Sequence, residues 1–122
     1  LNKIFFRPNP AAIVTGKPED FDGIPGRDDS TARGGLIDVQ KLVKFSKEPS
    51  FVIQGYGNVG RPCVDLLSDT SFDEMSGKVL AVSDINSGVY NSNGLIAEAL
   101  HDYYLKNKTF KGCGLGDEIA PN

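Results

Sequence analysis

A short apolar run, Phe51-Val52-Ile53, passes without a linker into Gln54-Gly55-Tyr56-Gly57-Asn58-Val59-Gly60, so a buried strand leads straight into a G-x-G-x-x-G turn. The first glycine of such a turn lets the chain leave the strand sharply. The second keeps side chains clear of a bound phosphate, and the third lets the next helix pack closely on the sheet. That helix then aims free N–H groups and the positive end of its dipole at an anion. The spacing suits a backbone built to approach a dinucleotide pyrophosphate. In a chain of 122 residues with 14 glycines the spacing alone is weak, and its surroundings decide.

Those surroundings read as one βαβ unit. Val59, Val64, Leu66 and Leu67 fit a helix from about Asn58 to Ser68, with Pro62 in its first turn, where a missing N–H removes no internal bond. Lys78 to Asp84 is a second apolar strand ending in a carboxylate. Asp84 follows Gly60 by 24 residues, where a dinucleotide-binding fold places the acid that accepts from the adenine ribose hydroxyls. The competing reading is a strand-end aspartate capping a turn. Ile85, Asn86 and Ser87 supply no Arg or Lys to clamp a 2′-phosphate, which favours NAD, with NADP as the alternative.

Around this unit the chain is less regular. Residues 1–26 hold four of the seven prolines and form an irregular lead-in, with a short strand expected at Ala11 to Thr15. From Asp28 or Asp29 to about Lys47, Leu36, Val39, Leu42, Val43 and Phe45 recur near helical spacing. Gly34 and Gly35 fall in the early turns of that helix; either a close neighbour requires them or the helix starts late. Residues 85–94 read as turns, Leu95 to about Lys106 as a final helix, and 111–122 as a tail without periodicity. The division expected is a lead-in over 1–26, a partial dinucleotide-binding domain over 27–110 and a tail over 111–122. The fold class is α/β, a Rossmann-like parallel sheet that is incomplete, with a long helix before its first βαβ unit.

Bulk properties exclude several classes. The net charge is −3 and the 13 basic residues are scattered, so there is no electrostatic case for nucleic acid or an anionic membrane. No apolar run approaches the ~18 residues of a membrane span. The two cysteines, Cys63 and Cys113, lack a second Cys or His at metal-ligand spacing, so no metal site is expected and they read as unpaired thiols. The single histidine, His101, has no nucleophile near it in sequence. The chain reads as soluble and cytoplasmic, with the mitochondrial matrix as the alternative. It starts at Leu1 and its only methionine is Met75, which points to a segment of a longer protein.

Several further motifs have a familiar order. Thr15-Gly16-Lys17-Pro18, Gly26-Arg27, Thr31, Arg33-Gly34, Ile53 to Gly60, Val82-Ser83-Asp84, Gly88, Tyr90-Asn91 and Asn93-Gly94 together resemble the glutamate dehydrogenase branch of the amino-acid dehydrogenases, over roughly residues 11–107. The resemblance implies that Thr31 contacts the nicotinamide carboxamide, that Asn58 contacts the cofactor and that Arg27 lies near the substrate. For Thr31 and Asn58 the plain alternative is helix capping, and for Arg27 an ion pair with Asp28 or Asp29. Lys17 is expected to be structural. The cofactor-binding set is thus Thr31, Gly55, Tyr56, Gly57, Asn58, Val59, Gly60 and Asp84, with Arg27 on the substrate side. The family pattern has glycine where this chain has Ala32, whose methyl would crowd a cofactor.

The resemblance also marks what is missing. The family's glycine-rich lysine motif and its catalytic aspartate have no match here, so no catalytic residue is expected in this chain. The expectation is the cofactor-binding segment of an NAD-dependent glutamate dehydrogenase, acting on a small amino acid in a homo-hexameric parent. The alternatives are a branched-chain or aromatic amino-acid dehydrogenase, or a non-catalytic NAD-sensing module.

Overall fold

A computed structural model describes residues 16–21, 23–42, 49–69 and 77–120. A short 3-10 turn, Glu19–Phe21, precedes helix α1, Ser30–Leu42. Strand β1, Ser50–Gln54, then feeds the glycine turn and helix α2, Gly60–Ser68. Strands β2, Lys78–Ser83, and β3, Gly88–Tyr90, are followed by helix α3, Ala97–Asn107, and strand β4, Asp117–Ile119. The strand expected at Ala11 to Thr15 and the far end of the α1 region, 43–48, lie outside the described residues.

The four strands form one sheet in the order β1-β2-β3-β4. β1 and β2 are parallel, as the βαβ reading requires, whereas β2–β3 and β3–β4 are antiparallel. The expected parallel sheet is therefore a mixed one. Residues 85–94 and the tail, read as turns and as irregular chain, each contribute a three-residue strand. Both strands are too short to show a period of their own, and pairing with a neighbour defines them.

Register explains how the core is filled. Phe51 pairs with Val79 and Val52 with Ala81, so the ladder shifts by one residue and Leu80 stands extra. The bulge places Val79 opposite Phe51 and Val82 opposite Ile53, and both valines are buried although three positions apart. Val89 continues the row on β3. Against these lie Ala32 and Leu36 of α1, Val64, Leu66 and Leu67 of α2, Leu100 of α3, and Phe110. Val52, 71% exposed, alternates away from this core.

The amphipathic reading of α1 holds for one part of it. Leu36 is buried, but Val39 is 40% and Leu42 84% exposed. α1 packs on α2 through Ala32 and Leu36, and the rest of its apolar stripe is left uncovered among the described residues. The helix begins before Gly34 and Gly35, so it does not start late, and neither meets a close neighbour among the described residues.

Candidate functional site

The glycine turn is built as its spacing suggests. Gly55 leaves β1 at φ +94°, a conformation that side chains resist, and its N–H donates to the Ser83 carbonyl at 2.8 Å. A Cβ at Gly60 would stand inside the Gly55 carbonyl oxygen, so α2 starts in backbone contact with the turn. A Cβ at Gly57 would meet nothing within 4 Å. That space lies in front of the turn, where a phosphate needs bare backbone.

Two clefts flank the turn. The first, about 380 Å³, is lined by Arg27, Asp28, Thr31, Asn58, Val59 and Arg61, with Gly16 and Pro62. It joins the amino end of α1 to the amino end of α2, where first-turn N–H groups lack intrahelical acceptors, although Arg61 N–H already donates to the Gly57 carbonyl. No side chain caps α2, so Asn58 is not used in that way. Arg27 donates from Nη1 to Ser30 Oγ at 3.2 Å, and its expected competitor, an ion pair with Asp29, goes instead to Arg33, whose Nη2 lies 2.8 Å from Asp29 Oδ2. Ala32 is 1% exposed and sits in the core, so its methyl does not crowd this cleft.

The second cleft, about 490 Å³, lies at the carboxyl ends of β1 and β2 and is lined by Gln54, Gly55, Ser83, Asp84 and Ile85, with Val52, Ile119 and Ala120. Among the described residues no basic side chain lines it. Asp84 is only 8% exposed. Its Oδ1 accepts from the Asn86 and Ser87 N–H groups at 2.6 and 2.8 Å, and its Oδ2 accepts from Phe110 N–H at 3.0 Å. A carboxylate offers about four acceptor positions, so one remains for a further donor.

Tyr56 stands apart from the other residues of the turn. Its side chain is 4% exposed and turns into the core, edge-on to Tyr104 and Phe110 with ring centroids at 5.0 Å each. Its hydroxyl is buried without a hydrogen-bond partner. Burial pushes the phenol up to about 12, helped by the charge of Asp65 and opposed by that of Arg61. The structure therefore gathers Arg27, Thr31, Asn58 and Val59 in one cleft and Gly55 and Asp84 in another, while Tyr56 offers the site only its backbone.

Residues 23–120 match the family model described as glutamate/leucine/phenylalanine/valine dehydrogenase. The chain belongs to this dehydrogenase family. It is 35% identical over 111 residues to the mitochondrial glutamate dehydrogenase of Dictyostelium discoideum, covering 81% of this chain and 21% of that protein. It is 32% identical over 117 residues to the NADP-specific glutamate dehydrogenase of Synechocystis, covering 87% of this chain and 26% of that protein. The chain thus spans about a quarter of the length of these relatives. Among solved structures, the glutamate dehydrogenase of Plasmodium falciparum superposes with a TM-score of 0.67 at 27% identity, covering 88% of this chain and 25% of that one. The hetero-hexameric enzyme of Thermus thermophilus superposes with a TM-score of 0.64 at 23% identity, covering 81% of this chain and 24% of that one, a likeness of fold.

Within this dehydrogenase fold, some residues at the clefts escape the motif reading. Arg61 puts a second guanidinium beside the Arg27 cleft, and its position directly after Gly60 was a usable signal. Ile119 reaches the second cleft only because β4 joins the sheet. The Asp84 partner Phe110 lies 26 residues downstream, where nothing local announces it. Both cysteines are free, each packed beside the core, and burial pushes the Cys63 thiol up. Among the described residues no group of His, Cys, Asp or Glu could hold a metal ion, and no helix is long and apolar enough to cross a membrane.

Proposed function

We propose that this chain is the cofactor-binding portion of an NAD-dependent glutamate dehydrogenase, which converts L-glutamate to 2-oxoglutarate and ammonia. The observation that carries the reading is the cleft at the glycine turn. Arg27, Thr31 and Asn58 converge there on two helix amino ends and on a turn whose middle glycine faces open space. Bound there, the nicotinamide would supply the hydride acceptor. The protein's own part is orientation: backbone N–H groups of the turn and α2 hold the pyrophosphate, Thr31 and Asn58 direct the carboxamide end, and Arg27 offers a cation to a substrate carboxylate.

Glutamate is preferred among the family's amino acids because both curated relatives described above carry that name. NAD is preferred because no cation among the described residues lines the second cleft to meet a 2′-phosphate, and Asp84 keeps one acceptor position toward it. The NADP-specific relative makes the opposite choice the natural competitor. A hexameric parent is part of the same proposal, as is a soluble location in cytoplasm or mitochondrial matrix.

The test is a titration of the 122-residue protein with NADH and NADPH, followed by fluorescence of the reduced nicotinamide. Saturable NADH binding, tighter than NADPH, is expected, without glutamate-dependent reduction of NAD by this chain alone. Binding of neither dinucleotide sinks the cofactor reading, and turnover of glutamate sinks the view that its catalytic groups lie elsewhere.

A further inference from the structure

Asp84 and the glycine turn are joined by a continuous physical path. The Asp84 carboxylate accepts from Phe110 N–H, which also donates to Ser87 Oγ at 3.1 Å, and Ser87 Oγ lies 3.0 Å from Thr109 Oγ1. These bonds fix residues 109 and 110 on the loop that ends β2. They hold that segment just after Lys108, a non-glycine residue at φ +56° that ends α3 in a left-handed conformation. Phe110 is fully buried, and its ring meets Tyr56 at 5.0 Å and Tyr104 at 5.1 Å. Tyr56 stands between Gly55 and Gly57. The one large side chain of the phosphate turn is therefore clamped by a ring whose own backbone is held by Asp84.

We infer that Asp84 is a positioning residue for the glycine turn, acting through Phe110 and Tyr56, and not only a group facing the ribose. The turn needs such support. Gly55 and Gly57 have no side chains to anchor it, and the buried Tyr56 hydroxyl makes no hydrogen bond, so the Tyr56 ring is held by packing against Phe110 and Tyr104. Edge-to-face ring pairs impose geometry as well as attraction, and a site is only as exact as the shell behind it. An acid that merely met the ribose would act on one end of a dinucleotide. An acid that sets the turn acts on the pyrophosphate, which NAD and NADP share.

This inference rests on the proposed cofactor site and is tested on the 122-residue chain with three variants. In Asp84→Asn the amide can still accept from Asn86 and Ser87, but it turns a donor toward Phe110 N–H. Phe110→Leu keeps the backbone N–H and removes the ring. Tyr104→Leu removes the third ring from a half-buried position and carries the test should the other two variants not fold. The chain has four tyrosines and no tryptophan, so the near-ultraviolet circular dichroism band is a tyrosine sum to which the packed Tyr56 and Tyr104 rings contribute, and the difference from a Tyr56→Phe protein gives the Tyr56 part.

Phe110→Leu and Tyr104→Leu are expected to weaken NADH and NADPH alike, by about threefold to tenfold, with an unchanged ratio between the two, while Asp84→Asn weakens both and also narrows the preference for NADH. Asp84→Asn and Phe110→Leu should share the same change in the tyrosine band. Wild-type affinity in Phe110→Leu and Tyr104→Leu overturns the inference. So does an Asp84→Asn protein that changes the NADH to NADPH ratio with an unaltered tyrosine band, since its carboxylate would then act on the ribose alone. Wild-type protein that binds neither dinucleotide overturns the underlying cofactor reading, a result that no variant is needed to see.

Discussion

The two clefts on either side of the glycine turn are built in opposite ways. At the Arg27 cleft, helix amino ends and the side chains of Thr31 and Asn58 face open space, and the wall is formed by α1, whose outer turns are barely packed. At the Asp84 cleft, three backbone N–H groups converge on one buried carboxylate, and the loop is fastened to residues 109 and 110. One side holds its polar groups ready for a ligand, and the other uses them to hold itself. Substitutions on the first should therefore cost binding and little stability, and on the second stability together with binding.

The largest effect is expected where the sides meet. Gly60→Ala drives a methyl into the Gly55 carbonyl oxygen, and the backbone on both flanks has to shift, at a cost of about 3 kcal/mol. Urea denaturation measures it, and a wild-type midpoint would show that the turn is looser than its geometry. Next comes Asp84→Ala, which removes the acceptor of three backbone N–H groups, leaving the buried Ser87 N–H without a partner and Phe110 N–H with Ser87 Oγ alone. A loss of about 2–3 kcal/mol is expected from the same unfolding experiment. Arg27→Ala should instead leave the urea midpoint in place and weaken binding of 2-oxoglutarate to the NADH-loaded protein by about 1.5 kcal/mol, since the guanidinium lines the cleft and, among the described residues, bonds to Ser30. Equal losses of stability in the Asp84 and Arg27 variants would break the contrast between the clefts.

This contrast is also where the sequence was readable and where it was not. β1, the glycine turn, α2 and β2 are written in local signals: an apolar run, a fixed glycine spacing, a proline in a first helical turn. Each of these elements forms close to the expected residues. β3 and β4 were invisible because three residues carry no period, and their status depends on partners elsewhere in the sheet. Arg27, Thr31 and Asn58 were singled out through the family resemblance, and the structure places them with Val59 along the open cleft. The closed one was half legible. Asp84 lies at its expected strand end, but its tie to Phe110 and the inward turn of Tyr56 come from packing across the chain.

On the closed side the Tyr56 hydroxyl is buried without a hydrogen-bond partner among the described residues, and it supplies a pH test. The folded state raises the Tyr56 phenol from 10.0 to about 12, so folding favours the neutral form. That contribution is fully present below pH 10 and is lost as pH rises from there through about 12. Tyr56→Phe removes both the ionisation and the orphaned hydroxyl. The variant should be about 1 kcal/mol more stable at neutral pH, and its urea midpoint should fall less steeply between pH 10 and 12 than that of the wild type. A less stable variant would mean that the hydroxyl has found a partner, such as a buried water.

The smallest effect belongs to the open side and concerns α1. Gly34 and Gly35 lie inside this helix, and a Cβ at either would meet nothing within 4 Å. Neither turn geometry nor packing requires a glycine there, so Gly34→Ala and Gly35→Ala should each stabilise the protein by about 0.5–1 kcal/mol through helix propensity alone. Their value lies in what happens to binding. Thr31 stands one turn before them on the same helix and reaches the Arg27 cleft. If that wall is already formed, tightening the helix raises the unfolding midpoint and leaves NADH affinity where it was. If the glycines keep the wall loose so that a dinucleotide can enter, the doubly substituted helix gains stability and changes NADH affinity, and the open cleft is then one that closes upon its ligand.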